Sequence, residues 1–368
     1  MTDSMSGVLL LDKPEGLSSN TALQRVRRLL GARKAGHVGS LDPLATGMLP
    51  ICLDEATKIA GDILSGRKRY RFTVALGSRT ATGDREGPVV ETLPVPTLDA
   101  DVIEAALARF RGPQTQIPPM YSALKRDGQP LYRLARAGIE VERAARDLEI
   151  YELTCIGREV GRADVGVRES DFGATTGSDA TVRDARGSNS PGVGAPAMRG
   201  EAPVHDVRHA GLLGADAAPT DLSATLVLDV LCSKGTYVRV LAEDIAKALG
   251  TCGHVIQLRR VYVEPFENEP MLSLEALEAQ IRAGERPKLI DPARALPQLP
   301  AVVLPEAAAA RIILGQAVDL HDCGATGRVR VHDHRGRFLG IGEADGAGAV
   351  QPRRMFVQPL DSAPSFSL

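Results

Sequence analysis

The 368-residue chain has no tryptophan, and aromatic residues make up only 4% of it. Ring surface is scarce, so each tyrosine is worth placing. Cysteine is sparse too. Cys52, Cys155, Cys232, Cys252 and Cys323 form an odd, scattered set without a C-x-x-C pair. That spacing excludes a disulfide framework and a cysteine-based zinc module. Cys252 and His254 are the one close Cys/His pair, and two ligands do not close a structural site. Reduced, buried thiols and no metal are therefore expected. No apolar run approaches the roughly 18 residues of a membrane helix. Met1 to Gly7 has no basic n-region, so no signal peptide is expected and a cytoplasmic protein is. An excess of one charge is also missing. Net charge is −2, so the overall balance does not announce a nucleic-acid partner.

What is present is globular in kind, with 43% hydrophobic and 24% charged residues. The length suggests two domains. Charge is unevenly spread. Arg67, Lys68, Arg69 and Arg71 crowd five positions, and Arg109 to Arg146 carries eight Lys/Arg against Asp127, Glu140 and Glu142. Such runs are usually solvated faces, but they also fit phosphate binding.

Residues 8–12 read as a buried strand stopped by Lys13-Pro14-Glu15-Gly16. Thr21 and Gln24 resemble a capping box for a helix that buries Leu23, Val26 and Leu30 and ends at Gly31. Residues 69–76 alternate, with Tyr70, Phe72, Val74 and Leu76 on one face and Arg69 and Arg71 on the other. That predicts a half-buried strand with a basic outer face. A helix is predicted over 99–111. Further on come a strand over 225–232, a helix over 238–249, a strand over 255–263 and a helix from Leu274 to Gly284. The elements mix without a βαβ rhythm, which favours an α+β fold with a mainly antiparallel sheet.

Residues 161–220 break this pattern. They hold ten Gly and eleven Ala but only nine Val, Leu, Ile or Phe. Too little apolar surface is left to build a core, so a disordered insertion between two strands is expected. Near residue 297 the composition shifts again, with Pro297, Pro300 and Pro305 as punctuation. Two short strands around His334-Arg335-Gly336 then suggest a β-rich module. The expected domains are 1–297, with the insertion inside it, and 298–368.

The densest segment runs Gly36-His37-Val38-Gly39-Ser40-Leu41-Asp42-Pro43-Leu44-Ala45-Thr46-Gly47. Three glycines and a proline in twelve residues oppose a regular element. An isolated Asp-Pro would be read as a turn. Here the restrictive run on both sides points instead to a tailored loop that presents one carboxylate.

This loop resembles the catalytic motif of the TruB family of tRNA pseudouridine synthases. The likeness extends to Gly7-Val8-Leu9-Leu10-Leu11-Asp12-Lys13-Pro14-Glu15-Gly16, Lys68-Arg69-Tyr70, and Leu76-Gly77 with Arg79 to Thr82 and Asp84. It continues through Pro118 to Ala123, Ser233 to Arg239, and His254 to Arg260, in order. Several motifs in sequence are far more specific than one. The resemblance implies a pseudouridine synthase fold, with a mixed, mainly antiparallel sheet flanked by helices and a small PUA-like C-terminal domain. It also implies isomerisation of uridine 55 in the T loop of tRNA.

That reaction exchanges an N1–C1′ bond for a C5–C1′ bond without redox change, so no cofactor is expected. By resemblance Asp42 is the nucleophile, and Arg239 is the cation that would lower its pKa. Tyr70 is the tyrosine that stacks on a flipped base, although core packing alone would also explain its position. Tyr237 and Leu258 match the remaining pocket walls. His37 is placed against the displaced RNA loop. Lys13, Arg67, Lys68 and the basic segment 124–146 are expected on the phosphates of the T stem. The expected partner is the tRNA T stem-loop alone, bound by a monomer with no obligatory protein partner. Asp54, where the family usually has Gly, Ser40 in place of Thr, and the long insertion depart from the pattern.

Two other readings remain open. One is a guide-dependent synthase of the dyskerin type. The other is a tRNA-folding chaperone with secondary catalysis.

Overall fold

The computed structural model describes residues 6–122, 124–126, 128–162, 222–320 and 324–356. The expected insertion at 161–220 therefore lies almost wholly outside the described residues.

The larger part is built on a nine-stranded sheet. In chain order its elements are β1 (Gly7–Lys13), α1 (Ser19–Leu30), β2 (Ala35–His37), β3 (Thr46–Leu53), β4 (Lys68–Leu76) and α2 (Ala100–Ala108). They continue with β5 (Gly112–Gln116), β6 (Arg146–Arg162), β7 (Leu222–Cys232), α3 (Val238–Ala248), β8 (Gly253–Val263), β9 (Leu272–Ser273) and α4 (Leu274–Arg282). The strand order is β9-β1-β3-β8-β4-β7-β6-β5, with β2 paired to β3. The β1/β9 and β3/β8 pairs are parallel, while β1/β3, β4/β7 and β4/β8 are antiparallel. The sheet is thus mixed and mainly antiparallel.

Alternation in β4 turns Tyr70, Phe72, Val74 and Leu76 into a core shared with Leu23 and Val26 of α1 and Leu241 and Ile245 of α3. The outer face of β4 is less basic than its sequence suggests. Asp229, directly opposite Arg71 on β7, accepts Arg69 at 2.6 Å and faces Arg71 at 3.7 Å.

Helix ends follow local chemistry. Gly31 closes α1 in the left-handed region at φ 63°. The cap at the other end is Ser18, whose hydroxyl accepts the Thr21 amide, so the Thr21/Gln24 box does not form. Helix α2 stops at Ala108, three residues before the predicted end. Strand β3 went unread because Gly47 and Pro50 break the strand pattern, yet Met48 to Leu53 are all buried.

A separate C-terminal β domain follows. Its strands are β10 (Ala301–Leu304), β11 (Val318–Asp319), β12 (Thr326–Asp333), β13 (Phe338–Asp345) and β14 (Ala349–Met355), with α5 (Glu306–Ile312) after β10. The sheet order is β10-β12-β13-β14-β11. Phe338, Ile341 and Phe356 leave this domain's own core and pack with Ile59, Ile63 and Val263 of the larger part. Arg328 pairs with Asp62, and Lys58 donates to the Met355 carbonyl at 2.7 Å.

Candidate active site

The loop between β2 and β3 carries Asp42, and two neighbouring segments and a turn of its own hold it. Ser19, at the start of α1, brackets Leu41: its hydroxyl accepts the Leu41 amide at 2.7 Å and donates to the Leu41 carbonyl at 3.0 Å. The Gly16 amide donates to the Pro43 carbonyl at 2.8 Å. Within the loop, the Ala45 amide donates to the Asp42 carbonyl at 3.0 Å, closing a turn with Pro43 at its second position. Asp-Pro does form the turn its sequence suggests, and that turn aims the carboxylate.

Arg239 meets this carboxylate from the first turn of α3. Its Nη2 lies 3.0 Å from Oδ2 of Asp42, and its Nη1 lies 3.4 Å from Oδ2 of Asp84. The guanidinium also donates to the Thr82 carbonyl at 2.8 Å and the Tyr121 carbonyl at 2.6 Å. Four separated sequence motifs therefore converge on one cation. Gly83 makes this approach feasible. A Cβ there would come within 3.3 Å of the Arg239 Cβ and 2.7 Å of Glu243. Asp84 is buried, and its Oδ1 accepts from the Thr82 hydroxyl at 2.6 Å and the Glu86 amide at 3.1 Å. Asp84 was legible only as part of a motif; its second carboxylate on Arg239 is a feature of the fold.

Asp42 keeps 38% of its side chain exposed, against 6% for Arg239 and 4% for Asp84. Of the three, Asp42 alone is open to a substrate. Its carboxyl is pushed above the ordinary carboxylate range. Desolvation is the largest cause, Arg239 pulls the other way, Asp84 adds to the rise and Lys13 opposes it. The expected lowering by Arg239 is real but outweighed by burial.

Tyr70 and Tyr237 both feel the Asp42 charge, and burial is the main reason both phenols titrate above their ordinary value. Tyr70 is 8% exposed and is paired across the sheet with Arg260, whose charge opposes the rise. Tyr237 caps α3, and its amide donates to Oε1 of Gln116 at 2.9 Å. Leu258 is buried opposite Phe72 on the β8/β4 pair, two residues before Arg260. His37 is half-buried at the end of β2, and its enclosed Nδ1 has no hydrogen-bond partner among the described residues. Burial, aided by Arg260, lowers its pKa, so the ring is neutral at neutral pH.

Two lysines expected on phosphates are enclosed. The Lys13 side chain is fully enclosed, and its ammonium donates to the carbonyls of Pro14, Leu17 and Pro43. Burial lowers it to about 8. Lys13 supports the Asp42 loop from below. Lys68 is likewise buried, donating to the Leu64 and Gly66 carbonyls, and is lowered by burial to about 8. Both ammonium groups are turned to backbone carbonyls. By contrast, Lys125, Arg126, Arg133, Arg136 and Arg146 of the basic segment are exposed. Of the possible metal ligands, His254 turns its Nδ1 to the Ser78 carbonyl at 2.8 Å. Burial pushes the Cys52 thiol up to about 12 and the Cys232 thiol to about 11, which leaves both unreactive.

Comparison with known proteins agrees with this geometry. Residues 27–171 match the N-terminal domain model of the TruB family pseudouridylate synthases. Residues 239–309 match the C-terminal domain of tRNA pseudouridylate synthase B, and residues 300–356 match the C-terminal model of pseudouridine synthase II TruB. A tRNA pseudouridine synthase B of Aromatoleum aromaticum is 43% identical over 95% of this chain and 92% of its own. One from Pseudomonas putida is 42% identical over 96% of each chain. Among solved structures, an H/ACA RNP bound to a substrate RNA aligns with TM-score 0.59 at 19% identity, covering 96% of this chain and 86% of that one. A Cbf5–Nop10–Gar1 complex aligns with TM-score 0.59 at 21% identity, covering 95% and 85%. At that identity these two speak for the fold alone. Identity above 40% along nearly the whole length carries the stronger statement: this chain belongs to the TruB family of pseudouridylate synthases.

Proposed function

We propose that the chain isomerises uridine 55 in the T loop of tRNA to pseudouridine, with the base flipped out of the loop and Asp42 as nucleophile. One observation carries the reading. A half-open carboxylate is held by a buried arginine that a second, buried carboxylate anchors. The relatives named tRNA pseudouridine synthase B supply the substrate class.

Arg239 fixes the carboxylate in orientation without covering it. Tyr70 and Leu258 border an apolar wall for a base, and Tyr237 closes the side toward α3. In the reaction the N1–C1′ bond breaks, the uracil turns, and a C5–C1′ bond forms. C5 loses its proton and N1 gains one, so atoms and electrons balance. Asp42 adds to the base or assists at C1′, and it does so only as the carboxylate. Exposed cations of residues 124–146 meet the phosphates of the T stem. A monomer suffices, with no protein partner.

The test is conversion of an unmodified T stem-loop by wild type and by Asp42→Asn. Conversion at one uridine, lost in the variant while RNA binding persists, supports the reading. Binding by folded wild type without conversion would overturn it for this substrate. The likeness to H/ACA particles makes a guide-dependent enzyme the second reading, and that enzyme would leave the bare stem-loop unconverted. A chaperone role would appear as tRNA refolding retained by Asp42→Asn.

A further inference from the structure

Arg260 is 1% exposed and is among the largest fully buried side chains of the protein. Enclosing a guanidinium is costly unless its donors are met, so its position calls for an explanation. Its hydrogen bonds to the backbone reach carbonyls on both stems of the Asp42 loop. Nε donates to the Met48 carbonyl at 2.6 Å, just after the loop. Nη2 donates to Gly39 at 3.0 Å and Val38 at 3.4 Å, just before it. The side chain therefore spans the mouth of the loop and ties its two ends together.

The backbone of Arg260 completes the arrangement. It lies in β8 between Gly47 of β3 and Tyr70 of β4, paired with each. A Cβ on Gly47 would fall 2.2 Å from the Arg260 carbonyl oxygen, and Gly47 has φ +96°. Only glycine lets β3 approach this closely. The cross-strand pairing puts the Arg260 and Tyr70 side chains on one face, where the guanidinium charge acts on the buried phenol. One buried residue thus bonds the entry to the loop and the exit from it, and is paired across the sheet with the neighbouring tyrosine. A hydrophobic residue could fill the space, but it could not hold three carbonyls in register.

We propose that Arg260 is the positioning residue that sets the Asp42 loop and Tyr70 in a common frame, acting on the reaction through both without touching the substrate. This inference rests on the proposed uridine isomerisation. Lysine keeps the charge but gathers its donors on one nitrogen, so it does not reproduce the spread of Nε and Nη2 toward the two stems.

The experiment compares wild type, Arg260→Lys and Arg260→Met, with Asp42→Asn as the inactive control. Single-turnover conversion of the T stem-loop is measured with enzyme in excess, alongside stem-loop affinity and amide hydrogen exchange. Arg260→Lys is expected to slow the chemical step by about 100-fold, the size of effect that a small misplacement produces. Stem-loop Kd should change by less than about threefold, because no phosphate contact is removed. Exchange should accelerate at the Val38, Leu41 and Ala45 amides, all bonded in or beside the loop, and stay slow across β1. A double-mutant cycle with Tyr70→Phe should be non-additive. If Arg260→Met does not fold, Arg260→Lys still decides the matter. Wild-type rate and wild-type loop exchange in folded Arg260→Lys would overturn the proposal. So would exchange that accelerates equally throughout the sheet, since that marks a merely structural residue. Failure of wild type to convert the RNA would sink the functional reading instead, and the exchange measurement would still decide whether Arg260 orders the loop.

Discussion

Arg239 stands between two carboxylates of unequal exposure, 3.0 Å from Asp42 and 3.4 Å from Asp84. The buried member anchors the cation and the open member is left to react. Asp84→Asn should therefore lower kcat by about 10- to 100-fold, the usual effect of removing a partner that orients a reacting group. Stem-loop affinity should be unchanged, because Asp84 is covered. Steady-state kinetics with a parallel binding titration would check this, and a loss expressed wholly in KM would contradict the anchoring role.

The raised pKa of Asp42 gives a signed pH dependence. The reacting form is the carboxylate, so the rate should fall as pH drops through a value above the ordinary range of about 4. Asp84 is one of the causes of the rise, so Asp84→Asn should move this acid limb to lower pH while it lowers the plateau. Stability has the opposite sign. A carboxyl whose pKa is higher folded than unfolded takes up its proton more readily in the native state, so the fold gains stability as pH falls through that range. Asp42→Asn, which imitates the neutral form, should melt no lower than wild type at neutral pH. A clearly lower Tm would show that the ion pair with Arg239 outweighs desolvation.

Asp54 is the one non-glycine residue among the described residues with positive φ, at 45°. Its carboxylate accepts the Lys34 amide at 3.0 Å, and its own amide donates to the Lys34 carbonyl at 2.9 Å. The side-chain bond offsets the left-handed backbone. Asp54→Ala keeps the strain and loses a bond worth about 1 kcal/mol, so denaturant midpoints should fall accordingly. Asp54→Gly loses the same bond but relieves about 1 kcal/mol of strain and should be close to neutral. Equal destabilisation by both would refute the compensation.

Elements with a clean period were readable from residues alone, and the β4 face of Tyr70 to Leu76 is the plainest case. The helix of Val238, Leu241 and Ile245 is another. The Asp42 loop stood out by its glycines and proline, but the role of its carboxylate came from resemblance, since one Asp-Pro reads equally well as a turn. Neighbouring Arg259 and Arg260 show where sequence falls short. Alternation places them on opposite faces of β8, yet only the assembled sheet shows that Arg259 reaches Asp12 at 2.9 Å while Arg260 is enclosed under the loop. Lys13 and Lys68 show the same limit. A lysine beside a motif resembles a phosphate contact until carbonyls from elsewhere in the chain are found around it.

The enclosure of Lys13 can be tested by salt dependence. A cation on a phosphate contributes close to one unit to the slope of log affinity against log salt, because binding releases a counterion. Arg133→Ala and Arg136→Ala remove exposed cations of the basic segment and should each reduce the slope measurably. Lys13→Met removes a charge that donates to Pro14, Leu17 and Pro43. Its slope should match wild type, while Tm and kcat both fall because the Asp42 loop loses its support. A reduced slope for Lys13→Met would place its ammonium on RNA after all, and would require the first turn after β1 to open when the substrate binds.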